Sequence, residues 1–328
     1  MSGFDTLEES PVDIDCLCAG ILFADHVCSP IERIPDAGEL VVPEAMQLLL
    51  GGCAANTAVD LARVGGRVVV AGCVGDDAFG QFILDALSSG GIDTGCIRRI
   101  DGVGSASTMV INVAGTDRRF ISTPGANSMM TVEHIPTEFV SGARVFYVGG
   151  YLMLPGLETD AMVDLFRAAR AAGTTTVLDV VGVSADDGFA RLSRLLSESD
   201  VFLPNDDEAR LLTGQSDPVR QAEIFRDAGA ATVVITRGER GTVLVGDGVR
   251  LRAGAYPTTF VGGTGAGDAF DAGYIAGLLA GEDPAGCIRW GSALGASCVR
   301  AAGASESVFD RREAEDFMKR HALPVEAF

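Results

Sequence analysis

Lysine is almost missing from this chain: Lys319 is the only one among 25 basic residues, so no mechanism that needs a catalytic lysine is available outside the C-terminal tail. Histidine is nearly as scarce, and His26, His134 and His321 stand far apart, which argues against a zinc site. The eight cysteines never take CxxC spacing and lie in apolar context, so reduced core thiols are expected. Cys16 and Cys18 alternate along one strand and read as small buried hydrophobes rather than a metal pair. Positive charge is in deficit overall, 25 basic residues against 45 acidic ones and a net charge of −20, which repels the phosphates of nucleic acids and anionic membranes. Nucleic acid is therefore not an expected partner. No apolar run reaches membrane-spanning length. Near the N-terminus the stretch Leu17 to Ala24 is short and follows Asp13 and Asp15, unlike a secretory signal. A cytoplasmic protein with no membrane partner is the expectation.

What is present suffices for a large core. The 328 residues are 47% hydrophobic, and the 42 glycines keep no three-residue period, which excludes a disordered or collagen-like chain. Residues 1–11 are polar and acidic and read as a flexible leader. Thereafter strand and helix patterns alternate. Nearly continuous apolar runs at 14–23, 67–74, 144–149, 175–180, 200–203 and 231–236 suit buried parallel strands. Between them, helical spacing covers 55–64, 77–89, 157–172, 188–197, 206–213 and 217–228. Two Ala- and Gly-rich helices follow, at 265–279 and 284–301. This alternation predicts an α/β fold with a doubly wound, mainly parallel sheet flanked by helices. Residues 29–50 and 97–123 break the rhythm, alternate in part and carry a hairpin turn at Ala114–Asp117, so they predict a small β excursion. The expected division is a large domain of 12–28, 51–96 and 124–328, with 29–50 and 97–123 forming the small one.

Familiar nucleotide motifs are absent: there is no GxxxxGKS/T, no GxGxxG opening a helix after the first strand, no HRD and no DFG. The most informative segment is VGGTGAGDAFDAGYIAGLL, Val261 to Leu279. There Gly265, Ala266 and Gly267 expose backbone N–H groups at a helix start, where unsatisfied donors and the dipole attract an anion. Asp268 follows in the first turn. It reads as a base acting on an alcohol that attacks a phosphate, or equally as an acid complementing the helix dipole.

Further segments break that tie by resemblance. GGCAANTAVDLARVG, Gly51 to Gly65, resembles the N-terminal signature of the ribokinase/PfkB carbohydrate kinase family, and GTGAGDAFDAG resembles its C-terminal one. PNDDEARLLTG, Pro204 to Gly214, is similar to the family's NxxE region, and TRGERG, Thr236 to Gly241, to its nucleotide loop. PGANSMMT and RAAGAS also occupy the usual places, and the resemblance covers about residues 12–320 in the family's order. It implies a ribokinase-like fold with a small β-sheet lid, and transfer of the ATP γ-phosphate to a sugar hydroxyl. By position Asp268 would be the base, and the amides of Gly265, Ala266 and Gly267 the anion hole. Thr236, Gly238, Gly241 and Gly265 would meet the nucleotide; taken alone, Gly238 and Gly241 read as a tight turn between strands. Asn205 and Glu208 would organise Mg²⁺, and they also have the form of a helix-capping pair. Asp25, at the end of the first strand, with Gly52 and Asn56, would bind sugar hydroxyls, and Gly51-Gly52 would hinge the lid.

Three departures from the family refine this. Gly262-Gly263 stands where the family writes Asp-Thr, an aspartate that helps hold a monovalent cation, which argues against potassium activation. Cys53 stands where ribokinases proper and phosphosugar kinases carry lysine, so a non-phosphorylated acceptor is implied. After Asp179 the sequence continues VVG, without the Asn and Arg of fructokinases. Among lid residues only Phe120 is aromatic, which favours a sugar over a nucleoside base. Arg118 and Arg119 read as solvated hairpin arginines. Two alternatives stay open: a nucleoside kinase, with Met46, Met109 and Phe120 as base contacts, and a non-catalytic sugar-binding member. An exposed lid edge would suit a homodimer.

Overall fold

The apolar runs become the middle of a ten-stranded sheet. The computed structural model describes residues 14–115 and 119–328, so the leader and Arg118 lie outside the described residues. In chain order, β1 (Cys16–Gly20), β2 (Phe23–Cys28), β3 (Met46–Gly51), α1 (Cys53–Arg63), β4 (Val68–Gly75), α2 (Ala78–Ser89) and β5 (Asp93–Ile100) come first. Then follow β6 (Ser107–Ile111), β7 (Arg119–Thr123), α3 (Thr137–Gly142), β8 (Val145–Gly149), α4 (Asp160–Ala171), β9 (Thr175–Leu178) and α5 (Gly188–Leu196). The remainder is β10 (Val201–Phe202), α6 (Asp206–Thr213), α7 (Pro218–Asp227), β11 (Thr232–Thr236), β12 (Thr242–Gly246), β13 (Val249–Ala253), α8 (Ala266–Ala280), α9 (Pro284–Cys298), α10 (Arg311–Arg320) and β14 (Val325–Ala327).

The large sheet runs β14-β13-β12-β11-β10-β9-β8-β1-β4-β5. It is parallel from β11 to β5 and closes on the other side with three antiparallel pairings. Alternate side chains of its central strands feed two cores. One, with Leu61, Ile83 and Ile275, is covered by α1, α2, α8 and α9; the other, with Phe146, Phe166, Phe202 and Phe225, by α4, α5, α6 and α7. Helices on both faces are what buried parallel strands require. β14 was not foreseen, because three residues carry no periodic signal.

The second sheet has four strands in the order β3-β2-β6-β7. Its membership corrects the expected boundaries. The run expected as one strand over 14–23 stops at Gly20, and Phe23–Cys28 belongs to the small sheet instead of the large domain. The break has a physical cause: Leu22 N–H donates to Asn127 Oδ1 at 3.1 Å and the Asn127 amide donates to Leu22 O at 3.0 Å. These bonds take the backbone groups that a continuous ladder would need. At the other boundary, Asp93–Ile100 stays paired with β4 in the large sheet, so the excursion begins after residue 100 rather than at 97. β6 and β7 form the expected hairpin, from Ser107↔Thr123 to Ile111↔Arg119, and its turn residues 116–118 lie outside the described residues.

Candidate active site

α8 begins only because Gly265 adopts a left-handed conformation, φ 75°, while pressed against the 300–308 loop; a Cβ there would sit 2.6 Å from Ala304 O. The turn leaves Gly267 N–H at the helix start without an intrahelical acceptor, whereas Ala266 N–H already reaches Gly263 O at 3.3 Å. One of the three expected anion-hole amides is thus partly engaged. Asp268 lies in the first turn, and its Oδ2 accepts a 2.7 Å hydrogen bond from Asn56 Nδ2. Asn56 was expected to serve sugar hydroxyls; one of its two donors is spent on the acid.

Asn56 is positioned by α1, whose cap Gly52 has φ 95° and passes so close to the backbone just after β1 that a Cβ would fall 2.4 Å from Ile21 O. The same first turn supplies Cys53 and Thr57. The Thr57 hydroxyl lies 3.3 Å from Asp268 O and 3.2 Å from the hydroxyl of Tyr147, which donates to Asp271 at 3.0 Å. Burial pushes the Asp268 carboxyl above the ordinary carboxylate range, and hydrogen bonds from Asn56 and Cys53 draw it back down.

A residue that sequence reasoning passed over completes the cluster. Asp179 follows β9 directly, is 8% exposed, and brings a carboxylate oxygen within 4.8 Å of ligand atoms on both Cys53 and Asp268. Gly150 N–H donates to it at 3.2 Å. Burial and then the charge of Asp268 push its carboxyl up to about 8. The available signal was an acidic residue at the carboxyl end of a parallel strand, where open sheets place their ligands.

Asp25 stands on β2 of the small sheet, not at the end of the first strand. Burial pushes its carboxyl up to about 6, against the hydrogen bond with Thr108, and Asp268 adds to the rise. Its Oδ1 is buried without a hydrogen-bond partner. Strand pairing aligns Leu49, Asp25, Thr108 and Ser122 on one face of the small sheet, with Val27, Val110 and Phe120 on that face one step along. Met109, Ile121 and Met46 fall on the opposite face. Of the three candidate base contacts, therefore, only Phe120 shares the face of Asp25.

Asn205 caps α6: Glu208 N–H donates to Asn205 Oδ1 and Asn205 N–H to Glu208 Oε2, each at 2.9 Å. Capping is thus realised. Burial, then the charges of Asp179 and Asp268, raise the Glu208 carboxyl well above its ordinary range. A cavity of about 720 Å³ opens beside this helix, lined by Asn205, Thr236, Gly238, Gly241, Ala266 and Gly267, with Tyr256 and Phe270 among its walls. Gly265 does not line it, and neither do Asp25, Gly52, Asn56 or Asp268. Of the expected nucleotide residues the cavity thus gathers Thr236, Gly238 and Gly241, and Asp268 follows Gly267 of its lining directly in the chain.

The model of the pfkB family carbohydrate kinases matches residues 14–311. The chain belongs to this family. Its members are phosphotransferases with an alcohol group as acceptor. A ribokinase of Haemophilus influenzae is 29% identical over 309 residues, covering 92% of this chain and 97% of that one. A 5-dehydro-2-deoxygluconokinase of Clostridium perfringens is 27% identical over 284 residues, covering 83% and 84%. Among solved structures, that of Arabidopsis thaliana ribokinase complexed with ribose and ATP superposes with a TM-score of 0.81 at 25% identity, over 93% of this chain and 99% of that one. The ribokinase-like α/β fold, mostly parallel sheet and small second sheet agree with the resemblance read from the motifs. Among the described residues, no helix is long and apolar enough to cross a membrane.

Proposed function

We propose that this member of the family phosphorylates a small, non-phosphorylated sugar with ATP. The observation that carries the choice of acceptor is electrostatic. Asp25, Asp179 and Asp268 are largely buried, and the charges acting to raise Asp25 and Asp179 are those of other carboxylates, with Cys53 where a cation would have stood. Surroundings that already disfavour one more negative charge disfavour an acceptor phosphate, whereas neutral hydroxyls can donate to Asp25 or Asp268.

In this reading ATP lies in the 720 Å³ cavity with its phosphates toward the start of α8. The acceptor sits between Asp25 and Asp268 under the small sheet, which serves as the lid, with Gly51-Gly52 as its hinge. Asp268 takes the proton of the acceptor hydroxyl as its oxygen attacks the γ-phosphorus; the bond to the β-phosphate oxygen breaks and ADP leaves. The N–H groups at the α8 start, Gly267 foremost, carry charge from the transferring group. Asn56 holds the Asp268 carboxylate ionised and aimed.

Magnesium fits the residues present: Glu208 is a buried oxygen donor near Asp179 and Asp268, and a dication there would favour its ionised form. Bound there, Mg²⁺ would neutralise phosphate charge, with Glu208 and Asn205 holding its waters. Gly262-Gly263 offers no carboxylate for a monovalent cation at that point. On the face opposite Asp25 the small sheet exposes Met46, Met109 and Ile121 at 62%, 47% and 65%, which supports a homodimer through the lid. Eight cysteines, six of them buried, support a reducing, cytoplasmic setting.

A coupled assay of ADP release from ATP and Mg²⁺ over free sugars, sugar acids and nucleosides tests the proposal. It requires turnover with a free sugar that is lost in Asp268→Asn.

A further inference from the structure

Two cations line the 720 Å³ cavity, Arg237 and Arg240, and they are used differently. Arg240 Nη2 donates to Asp206 Oδ2 at 2.5 Å. Arg237 Nε lies 3.9 Å from the same oxygen, beyond hydrogen-bond reach, and is buried with no hydrogen-bond partner among the described residues. A buried guanidinium donor left unmet is costly, and Asp206 already serves the other arginine.

The backbone holds Arg237 in this place. Thr236 N–H donates to Pro204 O at 3.2 Å and Thr236 bridges to Asn205, so the end of β11 is drawn against the start of α6. Arg237 N–H donates to Gly241 O at 2.9 Å and closes the turn into β12. Gly241, φ 81°, is required there, since a Cβ would fall 2.0 Å from Ala253 O. Arg237 thereby stands beside Asn205, which would hold the waters of Mg²⁺ at the phosphates. Acids outnumber bases along this wall, where Asp206, Asp207 and Glu239 accompany the two arginines. Lys319, the one lysine of the chain, does not line the cavity. A polyphosphate entering there meets one guanidinium whose acid is held by another arginine, in the fork geometry that engages two phosphate oxygens at once.

We propose that Arg237 binds the β- and γ-phosphates of ATP, exchanging its loose contact with Asp206 for charge-assisted hydrogen bonds to phosphate oxygens. It is a substrate-binding residue, and no bond forms or breaks at it. The inference rests on the reading that ATP occupies this cavity, and adds a side-chain cation to the amides of α8 and the magnesium that would otherwise meet the phosphates alone.

Titration calorimetry of AMP, ADP and ATP with Mg²⁺ on the full chain tests it without any acceptor. Arg237→Gln should bind ATP and ADP about 10- to 100-fold more weakly than the wild type, the scale of losing charge-assisted hydrogen bonds, and AMP nearly as well. Arg237→Lys should recover part of that loss. Asp206→Asn removes the acid and keeps the guanidinium, so it should retain wild-type ATP affinity, whereas an arginine that only clamps α6 would make the two variants alike. Wild-type ATP affinity in Arg237→Gln, or an equal loss for all three nucleotides, overturns the inference and leaves ATP in the cavity. A wild type that binds none of the three overturns the reading beneath it as well. If Arg237→Gln does not fold, Arg237→Lys decides, and ATP affinity equal to that of the wild type is then the contradicting result.

Discussion

Asn56 and Asp268, 212 positions apart in the chain, are joined by a 2.7 Å hydrogen bond that ties the first turn of α1 to the first turn of α8. The amide donates to the carboxylate, so it favours the ionised acid that a proton abstraction requires. Each of the two glycine-rich segments, Gly51–Gly65 and Gly263–Gly273, thus supplies one partner of this bond.

Asp268→Asn should leave ATP binding intact and cost at least about 100-fold in kcat, the scale expected for loss of a general base. Asn56→Ala should be milder but distinctive. Without its donor the Asp268 carboxyl titrates higher, so the acid limb of the kcat/KM profile moves to higher pH. Steady-state kinetics across pH checks both; near-normal turnover in Asp268→Asn contradicts the assignment.

Glu208→Gln separates two roles of one side chain. The glutamine can still accept the Asn205 N–H, so the melting temperature should change little, whereas the magnesium concentration giving half-maximal rate should rise several-fold. A loss of stability with unchanged magnesium dependence would leave only the capping role.

Asp179 makes a stability prediction with a definite sign. Its carboxyl titrates at about 8 in the folded protein against 3.8 ordinarily, so across that window the folded state keeps a proton that the unfolded chain has released. Its contribution to stability therefore falls as pH rises from about 4 to about 8 and is level beyond. Asp179→Asn should match the wild type near pH 4 and melt increasingly higher than it toward pH 8. Melting curves at several pH values check this; a difference independent of pH would contradict it.

The parts legible in the sequence were those carried by periodicity and by glycine. Six apolar runs became the parallel strands β1, β4, β8, β9, β10 and β11, and GTGAGD announced the turn into α8. What escaped depended on contacts between distant segments. Asn127 interrupts the first run by bonding Leu22, and nothing near Leu22 signals it. That Asn56 also bonds Asp268 was not legible, because Asp268 lies on another helix 212 positions away. Asp179 looked like the end of a strand until Cys53 and Asp268 were brought beside it.

Asp25 should govern the acceptor alone. With its carboxyl at about 6, the KM for the sugar should climb as pH falls below 6 while the KM for ATP stays level. Asp25→Ala should abolish that pH dependence and raise the sugar KM at neutral pH. An equal effect on both substrates would point to a general structural loss.

The most direct test of the central claim is a comparison of kcat/KM for ribose or fructose, for the corresponding 5- or 6-phosphate, and for adenosine, on the purified protein with saturating MgATP. Polar groups left unpaired by an ill-fitting acceptor can cost several powers of ten, so a free sugar should exceed both competitors by at least about 100-fold. Efficient phosphorylation of adenosine or of the sugar phosphate, with every free sugar ignored, would contradict the account.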